Sequence, residues 1–431
     1  MQLNQKRHTI FYGWWVVVAS FLITVYTGGV IYFGFTAIVE PLQNEFGWSY
    51  AQISLAASLR DLEMGLLAPI MGVFVDRWGP RKLMFGGPII IGLGLLLLNT
   101  VNSLIMFYVA FIVIAIGMSN CSSTVKNTAV ANWFRKKVAL ASGIVAAGFA
   151  VGGFLVPAVT TLVDTLEWRK AMVVLALSMW SIGLPLSLLM RHKPEQYGYL
   201  PDGELNIPSL NDKRPVLAQK TEVNISGKQA IKSRTFWHIS LAMMCQTFLS
   251  SAVVTHVMPY LDSIGLAWTT ASLVAMSIPP ASIGGRLGFG LMGDIFNKKR
   301  LSAIGFALMS LGLIFFALIP NGSMWLLIPS LLFFGTGWGA NITLRPALLR
   351  EYFGRNRFGT IHGFTIGILM MGIVAGAPLA GWAFDVWDTY EGIWLIFAGA
   401  GITGIFTILK TPPLDTTVPA APKSAAVDEP F

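Results

Sequence analysis

Gly72-Val73-Phe74-Val75-Asp76-Arg77-Trp78-Gly79-Pro80-Arg81-Lys82 is the stretch on which the reading of this chain turns. It closes one long apolar run and opens the next through a basic turn. A degenerate copy, Gly290-Leu291-Met292-Gly293-Asp294, stands in the second half and is followed by Asn297-Lys298-Lys299-Arg300. In both, a glycine precedes an aspartate by four residues and bases follow. Glycine lets two helices approach closely, and the aspartate can meet a helix N-terminus or an arginine at the rim. One such string would be an ordinary charged helix end. Two at matching places point to a gate latch built twice, with Gly72, Asp76, Arg77, Gly79, Arg81 and Asp294 as its candidate residues.

Other features repeat around these strings. One apolar run ends in Trp133-Phe134-Arg135 and another in Tyr352-Phe353-Gly354-Arg355. Each is followed by a glycine-rich run with one proline, Pro157 or Pro378. Apolar runs lie near 14–38, 50–74, 83–101, 104–130, 138–162 and 170–190, and again near 236–260, 268–293, 301–319, 324–349, 359–383 and 391–409. Each is long enough to cross a bilayer core of about 30 Å. The chain is 54% hydrophobic and 12% charged, whereas soluble domains carry about 25% charged residues. The prediction is an all-α polytopic membrane protein of about twelve transmembrane helices. They form two pseudo-symmetric six-helix bundles, a repeat common in secondary transporters. Residues 1–190 form the first bundle and 235–410 the second. Between them, 191–234 reads as a polar linker broken by Pro194, Pro201, Pro208 and Pro215. Residues 411–431, rich in Pro and Ala, read as a disordered tail.

Charge sets the expected orientation. With the N-terminus inside, one side holds Lys6, Arg7, Arg77, Arg81, Lys82, Arg135, Lys136, Lys137, Lys298, Lys299, Arg300, Arg350, Arg355 and Arg357. The other side holds only Arg169 and Lys170 in its loops, and its turn at Pro41–Ser49 carries Glu45. The positive-inside rule therefore predicts a multi-pass protein of the cell (inner) membrane with both termini cytoplasmic. The net charge of +9 is spent on these loops, which argues against a nucleic-acid partner. The N-terminus lacks a signal-peptide cleavage pattern, so the first span is expected to remain as an anchor. Cys121 and Cys245 both lie in apolar runs and read as packing residues. There is no metal-ligand spacing, no phosphate-binding Gly-Lys loop and no nucleophile–base set. No enzyme, metal or cofactor is expected.

Charges within the spans are costly, about 2.5–3.5 kcal/mol on insertion scales, and are functional candidates by default. They are Arg60, Asp61, Glu63, Lys126, Arg286 and Arg345, with His256 and His362 as titratable additions. Arg286 has the strongest claim to bind an anion. It lies eight residues before Asp294, ~12 Å above the gate, in a run loosened by Pro279, Pro280, Gly284, Gly285 and Gly290. No acid lies one turn away, and a guanidinium fork suits a carboxylate. The competing reading is a salt bridge to Asp61 or Glu63. Lys126 and Arg345 each stand seven residues before their aromatic pairs, as symmetry mates. Snorkelling to the rim or gating is favoured for both, with a role in drawing in and binding the anion kept open. Glu63, His256 and Asp61 are the proton-coupling candidates, against an Arg60–Glu63 pair on one helix face and a packing role for His256.

The string at Gly72–Lys82 resembles the signature loop of the major facilitator superfamily, and the span count, central linker and half-repeat agree with it. That resemblance implies the major facilitator fold, with spans three, six, nine and twelve outermost; none of the intramembrane charges named above falls within those four. The segments Trp133–Gly152 and Arg286–Asp294, and the start Tyr12-Gly13-Trp14-Trp15, resemble the monocarboxylate transporter family and the related oxalate–formate antiporters. In those families the arginine matching Arg286 binds the substrate carboxylate. This chain departs from them in three places. It has no lysine in span one, Ser282 where an aspartate would stand, and in span eleven only His362 near the gate in place of a lysine. The resemblance implies a rocker-switch secondary transporter, proton-coupled, for a small organic anion, a monocarboxylate before a dianion. A monomer in the lipid bilayer is expected. A multidrug or amphiphile efflux antiporter is the alternative, and a non-transporting membrane sensor a second.

Overall fold

The computed structural model describes residues 11–203, 225–319 and 324–413. The expected disordered tail and the bases Lys6 and Arg7 fall mostly or wholly outside these residues. We label the long helical spans α1 (Gly13–Phe46), α2 (Tyr50–Trp78), α3 (Pro80–Asn99), α4 (Leu104–Trp133), α5 (Val138–Leu166) and α6 (Trp168–Leu188), then α7 (Arg234–Ser263), α8 (Ile278–Ile295), α9 (Lys298–Leu318), α10 (Met324–Phe353), α11 (Phe358–Trp387) and α12 (Glu391–Leu409). Ten are apolar enough to cross a membrane by composition alone. The other two are α2, which carries Arg60, Asp61 and Glu63, and α8, which carries Arg286 and is preceded by a short helix, Trp268–Ala275.

Several spans depart from a plain helix. α1 is α-helical over Gly13–Tyr26, widens to a π-helix at Thr27–Phe33, tightens to a 3-10 helix at Gly34–Ile38 and resumes as α at Val39–Phe46. The predicted outer turn at Pro41–Ser49 is thus mostly helix, ending at Gly47 with φ +66°. In the π-helical stretch a side chain at Gly28 would crowd Phe149, and one at Gly29 would run into the Gly152 carbonyl of α5. Glu45, in the last turn, accepts from Arg169 Nη2 at 2.6 Å and Trp168 Nε1 at 2.7 Å, fastening this end to α6. α4 breaks at Cys121–Ser122, between the helices Leu104–Asn120 and Ser123–Trp133.

The helices pack chiefly as α3 with α4 and α6, α1 with α5, α7 with α11, and α9 with α10 and α12. α3, α6, α9 and α12 make their main contacts within their own half, so the spans without charges in their interiors are the peripheral ones. Contacts between halves run through α2–α11, α5–α8, α5–α10 and α4–α11. Small residues make these approaches possible, as expected where lipid removes the hydrophobic drive and close packing must supply the contact.

The linker departs from expectation. Its first part is folded, with short 3-10 helices at Pro194–Tyr197 and Pro201–Gly203. The Arg191 guanidinium lies between the rings of Tyr12 and Tyr197, 3.7 and 4.1 Å from their centroids. Asp202 accepts from the backbone N–H groups of Arg135 and Lys136, and Glu195 pairs with Arg355 at 2.5 Å. Polar composition alone suggested a loose chain. The carboxylates gain order here because unpaired amides and an arginine face them.

Candidate functional site

The two Gly-xxx-Asp helix ends are built alike. α11 begins at Phe358, and its first amides have no acceptor inside the helix. The Asp76 carboxylate, at the end of α2, takes the N–H groups of Gly359 (2.9 Å) and Thr360 (2.7 Å) and the Thr360 hydroxyl (2.6 Å). At the end of α8, Asp294 takes the N–H groups of Ala139 (2.9 Å) and Leu140 (3.1 Å) in the first turn of α5. Both acids therefore meet helix N-termini in the opposite half. Their charge complements the helix dipole and strengthens each bond. Gly72 lies against the Gly359 carbonyl and Gly363 against that of Ala68. Gly79 turns the chain with φ +80°. Arg77 and Arg81 are exposed beside it. This basic end of the molecule is shut. Farther along, α2 and α11 flank an apolar groove of about 420 Å³ lined by Gly65, Leu66, Pro69, Gly367, Met370, Met371 and Val374.

Three cations lie buried within the spans. Arg286 is 3% exposed. Its Nη1 donates to the Ala146 carbonyl of α5 at 2.6 Å, its guanidinium carbon stands 5.8 Å from the Trp338 ring centroid, and its Nε has no partner. It pairs with neither Asp61 nor Glu63, so that competing reading fails. Lys126 and Arg345 do not snorkel to the rim: they are 5% and 7% exposed. The break in α4 and close packing against neighbouring spans keep both heads inside. Lys126 Nζ donates to Thr24 Oγ1 at 2.7 Å. Arg345 makes no hydrogen bond or ion pair among the described residues, and its Nε is buried without a partner. Sequence reasoning missed Thr24 and Trp338, ordinary span residues that carried no signal. It also missed the α4 break, which the polar run Cys121-Ser122-Ser123-Thr124 could have revealed.

The proton candidates separate clearly. Arg60 pairs with Asp61 at 3.0 Å, not with Glu63. Its Nη1 also bonds the Ile31 carbonyl, and its guanidinium stacks over Tyr32. The wide turn of α1 pulls it away from the neighbouring helix face. Asp61 is thus engaged, with Tyr32 as a second contact. Both ring nitrogens of His256 are bonded, Nδ1 to the Tyr390 hydroxyl at 3.0 Å and Nε2 to the Ala377 carbonyl at 2.9 Å. Glu63 keeps a buried Oε2 with no partner. His362 is fully buried, stacked on Phe358, with Nδ1 3.4 Å from Thr124 Oγ1. Among the described residues no His, Cys, Asp and Glu cluster could hold a metal ion.

Comparison with known proteins agrees with this architecture. The chain is similar to monocarboxylate transporter 12 of Rattus norvegicus, 24% identical over 401 residues that cover 89% of this chain and 82% of that one. It is 25% identical to the oxalate:formate antiporter of Oxalobacter formigenes over 366 residues, 84% of this chain and 83% of that one. Its fold matches the proton:xylose symporter XylE with a TM-score of 0.70 at 14% identity, covering 93% and 96% of the two chains. It matches the transporter FucP in its outward conformation at 0.68 and 16% identity, covering 94% and 99%. The family model described as Major Facilitator Superfamily matches residues 17–366 and 281–429. An all-helical membrane chain with these relatives and this fold belongs to the major facilitator superfamily.

Proposed function

We propose that this chain is a secondary transporter that carries a small organic anion, a monocarboxylate in the simplest case, through a carboxylate gripped by Arg286. The observation that carries this reading is a buried guanidinium between the halves with an unpartnered Nε and no acid. Fully paired, Arg286 would be a structural strut; with donors to spare, it suits a planar anion. The names of the relatives, transporters of monocarboxylates and of oxalate and formate, support the same substrate class. The basic end faces the cytoplasm in this reading, and the described state is closed there. Halves 1–190 and 235–410 rock about the site, releasing the Asp76 and Asp294 latches as the other end closes.

The test is uptake of labelled lactate and oxalate into proteoliposomes. Losing a buried, hydrogen-bonded charge pair costs about 2–5 kcal/mol, so Arg286→Ala is expected to lower transport at least 30-fold. Arg286→Lys keeps the charge but not the fork, and is expected to recover little. Undiminished transport of the substrate by either variant would sink the proposal.

Glu63 carries the coupling proton in this reading, because it alone of the three candidates retains an unpartnered buried oxygen. Glu63→Gln is expected to abolish accumulation driven by a pH gradient while substrate exchange continues. His256→Gln should leave gradient-driven uptake within twofold. Accumulation that persists in Glu63→Gln moves the proton site elsewhere.

A further inference from the structure

We infer that the break in α4 builds a second carboxylate subsite, separate from Arg286, at the amino end of the helix Ser123–Trp133. This rests on the organic-anion reading above and extends it.

The helix ends there without a cap. Ser122 is the N-cap residue, yet its side chain makes no capping bond, and its buried Oγ has no partner. The preceding turn is spent on the upstream helix: Cys121 and Ser122 donate to Gly117, Met118 and Ser119. Lys126 N–H is the first to donate back, to the Ser122 carbonyl. Among the described residues nothing accepts from the amides of Ser123, Thr124 and Val125. Three aligned amide donors and the positive end of the helix dipole make a place for an anion. A discontinuous span that turns a half-helix N-terminus toward an anionic substrate is a known way of building a transporter site.

An uncapped helix end alone would not suffice. Here the other half supplies His362, fully buried, which reaches Thr124 in the first turn with Nδ1 and leaves Nε2 without a partner. Arg345, on the same half, has its own buried orphan Nε. Lys126 follows one turn into the helix with only Thr24 as partner. A cation at a helix N-terminus is disfavoured, and a bound anion would offset it. Lys126 is seven residues before Trp133 and Arg286 eight before Asp294, which places both about 10–12 Å from the shut end. One subsite stands on α4 and α11, the other on α8 and α5. The carboxylate on α4 is either the far end of a two-ended substrate or a second monoanion.

Purified full-length protein would be titrated calorimetrically with acetate, lactate, oxalate, malonate and succinate. Three variants test the subsite: Lys126→Gln, His362→Gln and Ser123→Pro. The proline removes one amide donor at the first helical position, where proline is tolerated, after a residue already extended. It therefore separates loss of the donor from loss of the fold. For a two-ended substrate, one dicarboxylate binds at least tenfold tighter than the monocarboxylates, and each variant erases that advantage while monocarboxylate affinity stays within twofold. For a second monoanion, lactate binds with a stoichiometry of two that falls to one. Affinities and stoichiometry unchanged in all three variants overturn the subsite, as does failure of every probe to bind wild type. Arg286→Lys is the parallel arm. If it alone weakens binding, the function stands without the subsite; if it changes nothing while the three variants do, the subsite stands and the role of Arg286 falls.

Discussion

Replacing both latch carboxylates, Asp76→Asn with Asp294→Asn, is expected to open the basic end. Asparagine keeps the shape but loses the charge and one of the two acceptor oxygens. A hydrogen bond to a charged group contributes about 1 kcal/mol more than a neutral one. Four backbone amides are involved, those of Gly359, Thr360, Ala139 and Leu140. The shift is then about 4 kcal/mol, on the order of a thousandfold in the balance of the two states. Val75 reports it. It is fully buried, lies against Gly359, and accepts cysteine without crowding. In a background lacking Cys121 and Cys245, the Val75→Cys thiol should react with a polar maleimide at least 100-fold faster once both latches are gone. Either single variant should give an intermediate rate. Labelling as slow as in the latched protein would mean that the carboxylates do not hold the halves together.

The second large effect is steric. Gly363→Val is expected to lower transport more than tenfold while the protein still folds. The Cβ of any residue at 363 would press on the Ala68 carbonyl and the Gly72 backbone across the α2–α11 contact. Overpacking of this kind costs about 1–3 kcal/mol, and the cost falls only on the state in which the two halves touch. Gly337→Val is the contrast. It would press on the Gly305 carbonyl between α10 and α9, two helices of the same half. Its expected result is a lower melting temperature and less folded protein. If both variants simply misfold, the α2–α11 contact is part of the folding core and not of a gate.

Much of this was legible in the sequence. The spans were readable because about twenty apolar residues have few other uses. The two aspartates stood out because Gly72-xxx-Asp76 and Gly290-xxx-Asp294 repeat with their bases, although only the structure names the amides they meet. Arg286 stood out because an arginine in a glycine-rich run has no local acid. What failed did so for one reason: side-chain partners come from distant segments. Spacing offered Arg60 a partner in Glu63, but the wide turn of α1 carries Ile31 and Tyr32 into the position that makes Asp61 the partner. Spacing put Lys126 and Arg345 within reach of the rim, but packing against α1 and α11 encloses them. Helix periodicity treats every span as continuous, so the interruption at Cys121–Ser122 disappeared into an apolar average. The folded part of the linker was hidden likewise, because Glu195 and Asp202 find partners in loops from both halves.

The π-helical stretch Thr27–Phe33 carries a consequence for descent. A π turn holds one residue more than an α turn, and each residue of an α-helix rotates the chain by about 100°. The number of residues between Tyr26 and Val39 therefore fixes which face Leu42 and Glu45 present, the one buried against the core and the other fastened to Arg169. Deleting a residue elsewhere in α1 would turn that face away. Deleting one here could be absorbed by closing the wide turn to α geometry. Single-residue deletions in this span should be tolerated better at Thr27–Phe33 than in its α-helical stretches.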